Sequence, residues 1–256
     1  TWNNYVVLHP QINGDAWIGS TPPSSENSFD YESGSLYGDE ISISDKYIGI
    51  TARHKTIDNN SKNGAIYITS YNVNNTSQQE YSSTLYKTVR IVCNDVSPNN
   101  YFGTSISIVG EYCIVTSNDD TYVFKNNGNS TDSMNWQQVK KFSGMGTSGE
   151  SCLTSEHVII CGGSTVDDFN VYKISDNFAL IETFNLSNVL PNDISNKTID
   201  KVDSDGEHMV ISLSNSGDNI IVLKYLDGFW LSPQGSSYTN NYMIFNDTTT
   251  DYTSNY

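Results

Sequence analysis

The sequence predicts an all-β fold assembled from a repeated four-stranded unit, and three observations carry that prediction. A hairpin pattern recurs four times, two further β-rich segments follow each copy at matching places, and no window shows helical periodicity with caps.

The hairpin is clearest at 37–51, YGDEISISDKYIGIT. It returns as FGTSISIVGEYCIVT at 102–116, GESCLTSEHVIIC at 149–161 and DKVDSDGEHMVIS at 200–212. Aligned on the ring that follows the turn, the copies centre on Tyr47, Tyr112, His157 and His208, at intervals of 65, 45 and 51 residues. Isoleucines at alternate positions, Ile41 with Ile43 and Ile106 with Ile108, give the first arm one apolar face. Two-residue tips, Asp45-Lys46, Gly110-Glu111, Ser155-Glu156 and Gly206-Glu207, reverse the chain into a second apolar run.

A third strand is expected after each hairpin, at 64–71 (GAIYITSY), 121–125 (TYVFK), 169–174 (FNVYKI) and 219–225 (NIIVLKY), where tyrosine and β-branched residues suit a strand packed on both faces. The outer strand has an aromatic at its start and apolar residues at three-residue spacing: Tyr86, Val89, Val92; Trp136, Val139, Phe142; Phe178, Ile181, Phe184. A fainter copy begins at Phe229 and Trp230 and is cut short by Pro233, since proline is tolerated mainly on edge strands. Trp2, Tyr5 and Leu8 share the spacing, whereas 12–35 reads as a surface loop with Pro22 and Pro23.

A four-stranded unit of about 50 residues repeated in this way is the blade of a β-propeller. The chain is therefore expected to be one propeller domain with repeats at about 37–94, 101–143, 147–190 and 199–232, closed by strands and loops from 1–36 and 233–256. A composite fifth blade could join the Trp2 strand to 242–245. The order Phe/Tyr-Gly-x-x-Ile-Ser-Ile, turn, apolar strand, Gly-Ala-Ile-Tyr-Ile, then Trp resembles the FG-GAP repeats of integrin-alpha-type propellers. Tyr37-Gly38 and Phe102-Gly103 stand at the Phe-Gly position, and 64–68 at the strand after the variable loop. The Gly-Ala-Pro triplet is missing, and the third and fourth units lack Phe-Gly.

The resemblance implies calcium loops in some first hairpins. Asp203 and Asp205, with Asp200, Gly206 and Glu207, come nearest, although calcium wants six to eight oxygens and the other three hairpins turn at the same place without such acids. An acidic hairpin tip is the competing reading.

Composition narrows the setting. The chain holds 30 Asn, 35 Ser and 22 Thr among 256 residues, with 16% charged. A surface kept wet by amides and hydroxyls suits an extracellular or cell-surface protein. Sequons at Asn59, Asn74, Asn75, Asn129, Asn185, Asn196 and Asn246 all fall in expected loops or at strand ends, where N-linked glycans can be carried. A net charge of -16 repels phosphate backbones and anionic membranes, so nucleic acid is not an expected partner. No apolar run approaches the roughly 20 residues a membrane span needs. Opening on Thr1, the sequence reads as a processed product or a piece of a longer one.

Cys93, Cys113, Cys152 and Cys161 allow two disulfides in three pairings, or none. A tip at 155–156 sets Cys152 opposite Ile159 and Cys161 opposite Glu150, a diagonal offset that is poor for a bond, which leaves buried thiols as the simpler reading.

Chemistry is sparse. His157 and His208 occupy the position of Tyr47 and Tyr112, so both read as turn rings. The longest connection between second and third strands, ARHKTIDNNSKN at 52–63, gathers Arg53, His54, Lys55 and Lys62 into a cationic island on an acidic chain. Propellers bind through such loops, so Arg53, His54 and Lys55 are the expected ligand contacts, against the plainer reading of a solvated loop. Two function classes follow. One is a non-enzymatic recognition, adhesion or assembly module, such as a subunit of an extracellular filament or coat with protein or glycan partners. The other is a propeller hydrolase or lyase acting on polysaccharide, for which 29 acids offer many carboxylate pairs but no fixed separation.

Overall fold

A computed structural model describes residues 34–70, 88–93, 98–128, 134–145, 149–161, 168–185, 198–214, 219–226, 229–231 and 243–246. Each repeated hairpin forms at the expected tip. In the first repeat β1 (Tyr37–Ile43) pairs antiparallel with β2 (Tyr47–Ala52), Ile43 facing Ile48 and the Ser44 N–H donating to Tyr47 O across the tip at 2.9 Å. β2 pairs with β3 (Ala65–Ser70), and β3 with β4 (Thr88–Ile91). The second sheet repeats this order with β5 (Ser105–Val109), β6 (Tyr112–Thr116), β7 (Asp120–Asn126) and β8 (Trp136–Ser143).

The third sheet holds β9 (Ser151–Leu153), β10 (His157–Cys161), β11 (Asp168–Lys173) and β12 (Ala179–Asn185). The fourth begins with β13 (Thr198–Ser204), β14 (His208–Ser214) and β15 (Asn219–Leu226). Its outer strand comes in two pieces: β16 (Phe229–Leu231) pairs with Lys224 to Leu226, and β17 (Met243–Asn246) pairs with Asn219 to Val222. Residues 243–246 therefore extend the fourth sheet. The Trp2 strand and the rest of the composite blade expected from the chain ends lie outside the described residues.

The fold is all-β, a β-propeller of four-stranded antiparallel blades. Among the described residues the helical structure is a single 3-10 turn, Ile174–Asp176, and no helix is long and apolar enough to cross a membrane. The chain divides into two compact units, Thr1–Ser143 and Gly144–Tyr256.

In the first unit the core lies between two blades. Tyr47, Ile66, Ile68 and Ile91 from one sheet pack against Ile106, Ile108, Cys113, Val115, Tyr122 and Phe124 from the next. The contact is close because Gly49 has no side chain: a Cβ there would lie 2.5 Å from Ile108 Cδ1 and 2.6 Å from Ile106 Cδ1. In the second unit Cys152, Ile159, Cys161, Phe169 and Val171 pack against Val202, Met209, Ile211, Leu213, Ile221 and Leu223. Period-2 alternation gives the middle strands of the first three sheets two largely buried faces, whereas β14 and β15 bury one face and leave Val210 and Ile220 exposed on the other. All four cysteines are buried thiols, Cys152 lies opposite Ile159, and the Cys161 N–H donates to Glu150 O at 3.0 Å, the offset the sequence implies. Burial raises the proton affinity of Cys113, Cys152 and Cys161, so these thiols are poor nucleophiles.

Candidate functional site

The connection from β2 to β3 is ordered by its own backbone. Ile57 N donates to Asn60 O at 3.2 Å and Asn60 N to Ile57 O at 2.8 Å, closing a two-residue turn over Asp58 (φ 49°) and Asn59 (φ 66°). Both central residues are left-handed, the geometry that Asn and Asp tolerate best among residues with a Cβ. Ile57 is buried with Ala52, Ala65 and Tyr67, which anchors this small hairpin to the first sheet.

The chain leading into β5 is then stitched along it. Asn99 N donates to Ser61 O at 2.9 Å, Tyr101 N to Lys62 O at 3.0 Å and Phe102 N to Asn63 O at 2.8 Å. From the other side Asn118, between β6 and β7, donates its backbone N–H to Asn100 O and its Nδ2 to Asn99 O, each at 3.0 Å. Gly64 (φ +92°) makes the stitch possible, since a Cβ there would stand 2.0 Å from Phe102 O. Three connections from two blades are fused into one platform.

Tyr101 pays a conformational cost for its place, with φ at 52°, where a bulky side chain is a genuine outlier. Its carbonyl is held by Thr104 Oγ1 at 2.8 Å. The ring stands 5.3 Å from the His54 ring, and Lys62 Nζ lies 5.9 Å from its centroid. Arg53 Nε reaches Asp39 Oδ2 at 2.7 Å. The His54 imidazole binds its proton less readily than usual, first because it is partly desolvated, then because Lys62 and Arg53 repel its charge; Asp39 opposes them.

The expected ligand residues separate here. His54 and Arg53 are part-exposed on the platform, but Lys55 is buried, its N–H bonded to Ala52 O and its carbonyl accepting from Gly64 N, both at 2.9 Å. Of the basic residues in this connection Lys55 thus has its side chain turned away from solvent, while Lys62 is exposed. Tyr101 was not singled out by sequence. The available signal was an aromatic in an Asn-rich turn immediately before Phe102-Gly103.

The acidic tip also has a structural explanation. Asp205 Oδ1 accepts from Glu207 N at 2.8 Å and His208 N at 2.6 Å, and Asp203 Oδ1 accepts from Ser204 N at 2.9 Å. Ser44 does the same for Lys46 and Tyr47, and Thr154 for Glu156 and His157. Asp205 thus occupies a capping position shared by three hairpins. Its carboxyl is held below its ordinary range chiefly by those two backbone donors. Among the described residues no three His, Cys, Asp or Glu side chains are grouped to hold a metal ion.

The ring position after each tip diversifies. Tyr47 is buried, receives Asn126 Nδ2 at 2.8 Å and donates to Glu111 Oε2 at 3.2 Å; Tyr112 carries Lys125 Nζ 5.3 Å from its centroid. His157 is buried, which lowers its proton affinity, and His208 is part-exposed beside Asp205 at 3.5 Å. Of the sequons, Asn59 is exposed at the tip of the small hairpin, while Asn185 and Asn246 end β12 and β17. Asn74, Asn75, Asn129 and Asn196 lie outside the described residues.

No protein-family model matches the chain, and no curated protein matches it. Solved structures similar to it include human WBSCR16, with 12% identity over 81% of this chain and 54% of that one at a TM-score of 0.46. Hsv2 of Kluyvelomyces marxianus shares 14% identity over 73% and 45%, at 0.41. The N-terminal domain of Nup159 shares 10% over 73% and 45%, at 0.40. The chain spans about half the length of these structures, and the likeness is one of fold alone.

Proposed function

We propose that this chain is a non-enzymatic recognition module, the propeller part of an extracellular or surface glycoprotein, which meets a partner through the platform of Arg53, His54, Lys62 and Tyr101. The observation that carries this reading is the left-handed Tyr101, its N–H bonded to Lys62 O, in a turn that Asn118 holds from the other side through Asn99 O and Asn100 O. Strain of this kind costs about 1–3 kcal/mol and tends to collect at binding sites. A loop serving only to join strands has no need to hold an aromatic ring beside both an imidazole and an ammonium. The finer family reading, an FG-GAP-like repeat, is supported by Gly38 (φ 88°) and Gly103 (φ 101°), both left-handed at the Phe/Tyr-Gly position.

The test is a comparison of wild type with the double variant Lys62→Ala, Tyr101→Ala on arrays of extracellular-matrix proteins and glycans. Binding that is lost in the variant while its unfolding midpoint stays high supports the reading; an identical binding profile ends it. The glycoprotein part is checked by intact mass of material secreted from eukaryotic cells. Mass should fall on N-glycan removal, and Asn59→Gln should remove one glycan's worth; no change in either rejects it.

A further inference from the structure

We infer that the platform recognises a carboxylate, supplied by an acidic side chain in a segment of a partner protein, and that it takes up a proton at His54 as it does so. This rests on the recognition reading above and adds the chemistry of the ligand. The Lys62 ammonium and the His54 ring both stand beside the Tyr101 ring, at 5.9 and 5.3 Å from it, with Arg53 next to His54 in sequence, on a chain whose net charge is -16. Asp39, from β1, already answers Arg53 at 2.7 Å. Lys62 is exposed and leans toward the Tyr101 ring, at a separation where such a contact is weak. Among the described residues the charged and titratable groups that act on His54 are Arg53 and Lys62 from its own connection and Asp39 from β1, with the Tyr101 ring from the turn before β5 beside it.

A carboxylate between Lys62 and His54 would accept from both, in charge-assisted bonds that are stronger than neutral ones. It would also reverse the balance at the imidazole, where the two cations now disfavour the proton. The overall negative field argues for a sparse ligand: a polyanion is repelled at long range, whereas one acidic residue among neutral ones feels mainly the local cations. A protein segment with a single Asp or Glu meets that condition better than a polyuronate chain does.

The sign of the pH dependence follows. A free imidazole held below its ordinary pKa is neutral near pH 7, so binding a carboxylate draws a proton in. Affinity should rise as pH falls from 7 through the free His54 midpoint. It should fall again below about pH 5, as the ligand's own carboxyl, with a pKa near 4.3, is protonated.

The experiment is an NMR titration of the full chain, following the His54 ring and the backbone amides of 61–62 and 99–101. The probes are a blocked tripeptide with one central glutamate, its glutamine counterpart and a glucuronate disaccharide. With the glutamate peptide the His54 midpoint is expected to rise by about half a pH unit or more. The glutamine peptide should leave it in place. Lys62→Gln should raise the midpoint of the free protein and weaken the glutamate peptide roughly three- to tenfold. If the glutamate peptide leaves the His54 midpoint unmoved, the inference is wrong. If both peptides shift the platform amides equally, the surface recognises a partner without reading a carboxylate: the inference falls and the recognition reading survives. If glucuronate alone moves His54, the peptide assignment is overturned in favour of an acidic glycan.

Discussion

Strands β1 and β5 start from the same words, aromatic-Gly-x-x-Ile-Ser-Ile, and end in opposite surroundings. Ile106 and Ile108 are 8% and 2% exposed, seated in the space that Gly49 leaves open, whereas Ile41 and Ile43 are 57% and 67% exposed. The glycines before them diverge in the same direction. A Cβ on Gly103 would meet Thr51 Cβ at 3.1 Å and Ala65 O at 3.3 Å, while one on Gly38 would meet nothing within 4 Å. Even the strand edges differ in role: Ser42 Oγ, on β1, accepts the Ile108 N–H of β5 at 3.0 Å. An apolar face is written by alternation within one strand, but its stability is written by the strand's neighbour. The repeat is a local device whose energetic content is settled next door.

The comparison is most severely tested at the seat of β5. Gly64→Ala should destabilise by about 4 kcal/mol or prevent folding, because the methyl group would strike the Phe102 backbone, which cannot swing aside as a side-chain tip can. A chemical-denaturation curve close to wild type would show that the platform can part without harm. Ile108→Ala should cost about 2–5 kcal/mol by loss of burial and by the cavity left against Gly49. Gly103→Ala should cost about 2–3 kcal/mol and Gly38→Ala about 1 kcal/mol, since both pay for a left-handed residue but only Gly103 also meets tight neighbours. Smallest of all, Ile43→Ala should stay within about 0.5 kcal/mol, as surface substitutions do. Equal losses at Ile43 and Ile108 in paired urea titrations would break the contrast outright. A gain in solubility for Ile43→Ser without loss of stability would sharpen it.

Much of the fold was legible because its signals are local. A two-residue tip between alternating apolar runs fixes register to the residue, which is why the sequence alone sets Cys152 opposite Ile159. The outer strand of the fourth sheet was not legible as two pieces. Pro233 marked where β16 had to stop, but nothing in the local pattern said that 243–246 would resume the same edge. The site was half legible. Arg53 and His54 stood out as cations in an acidic chain. Lys55 looked the same in sequence, but its backbone is bonded to Ala52 and Gly64 and its side chain is buried, which no local pattern announces. Tyr101 gained its meaning from backbone bonds to residues 61–63, a pairing that no single-strand pattern encodes. The acidity of Asp203 and Asp205 suggested a metal loop, while Asp205 shares with Ser44 and Thr154 the job of holding the tip's backbone N–H groups.

The interrupted outer strand covers the edge of β15 in two separate pieces. Should 243–246 be cut away, Asn219 to Val222 would keep β14 on one edge and lose their partners on the other, while Lys224 to Leu226 kept β16, leaving a short bare stretch of outer edge beside a covered one. An edge bared in that way would present unpaired backbone donors and acceptors to which an extended segment could add.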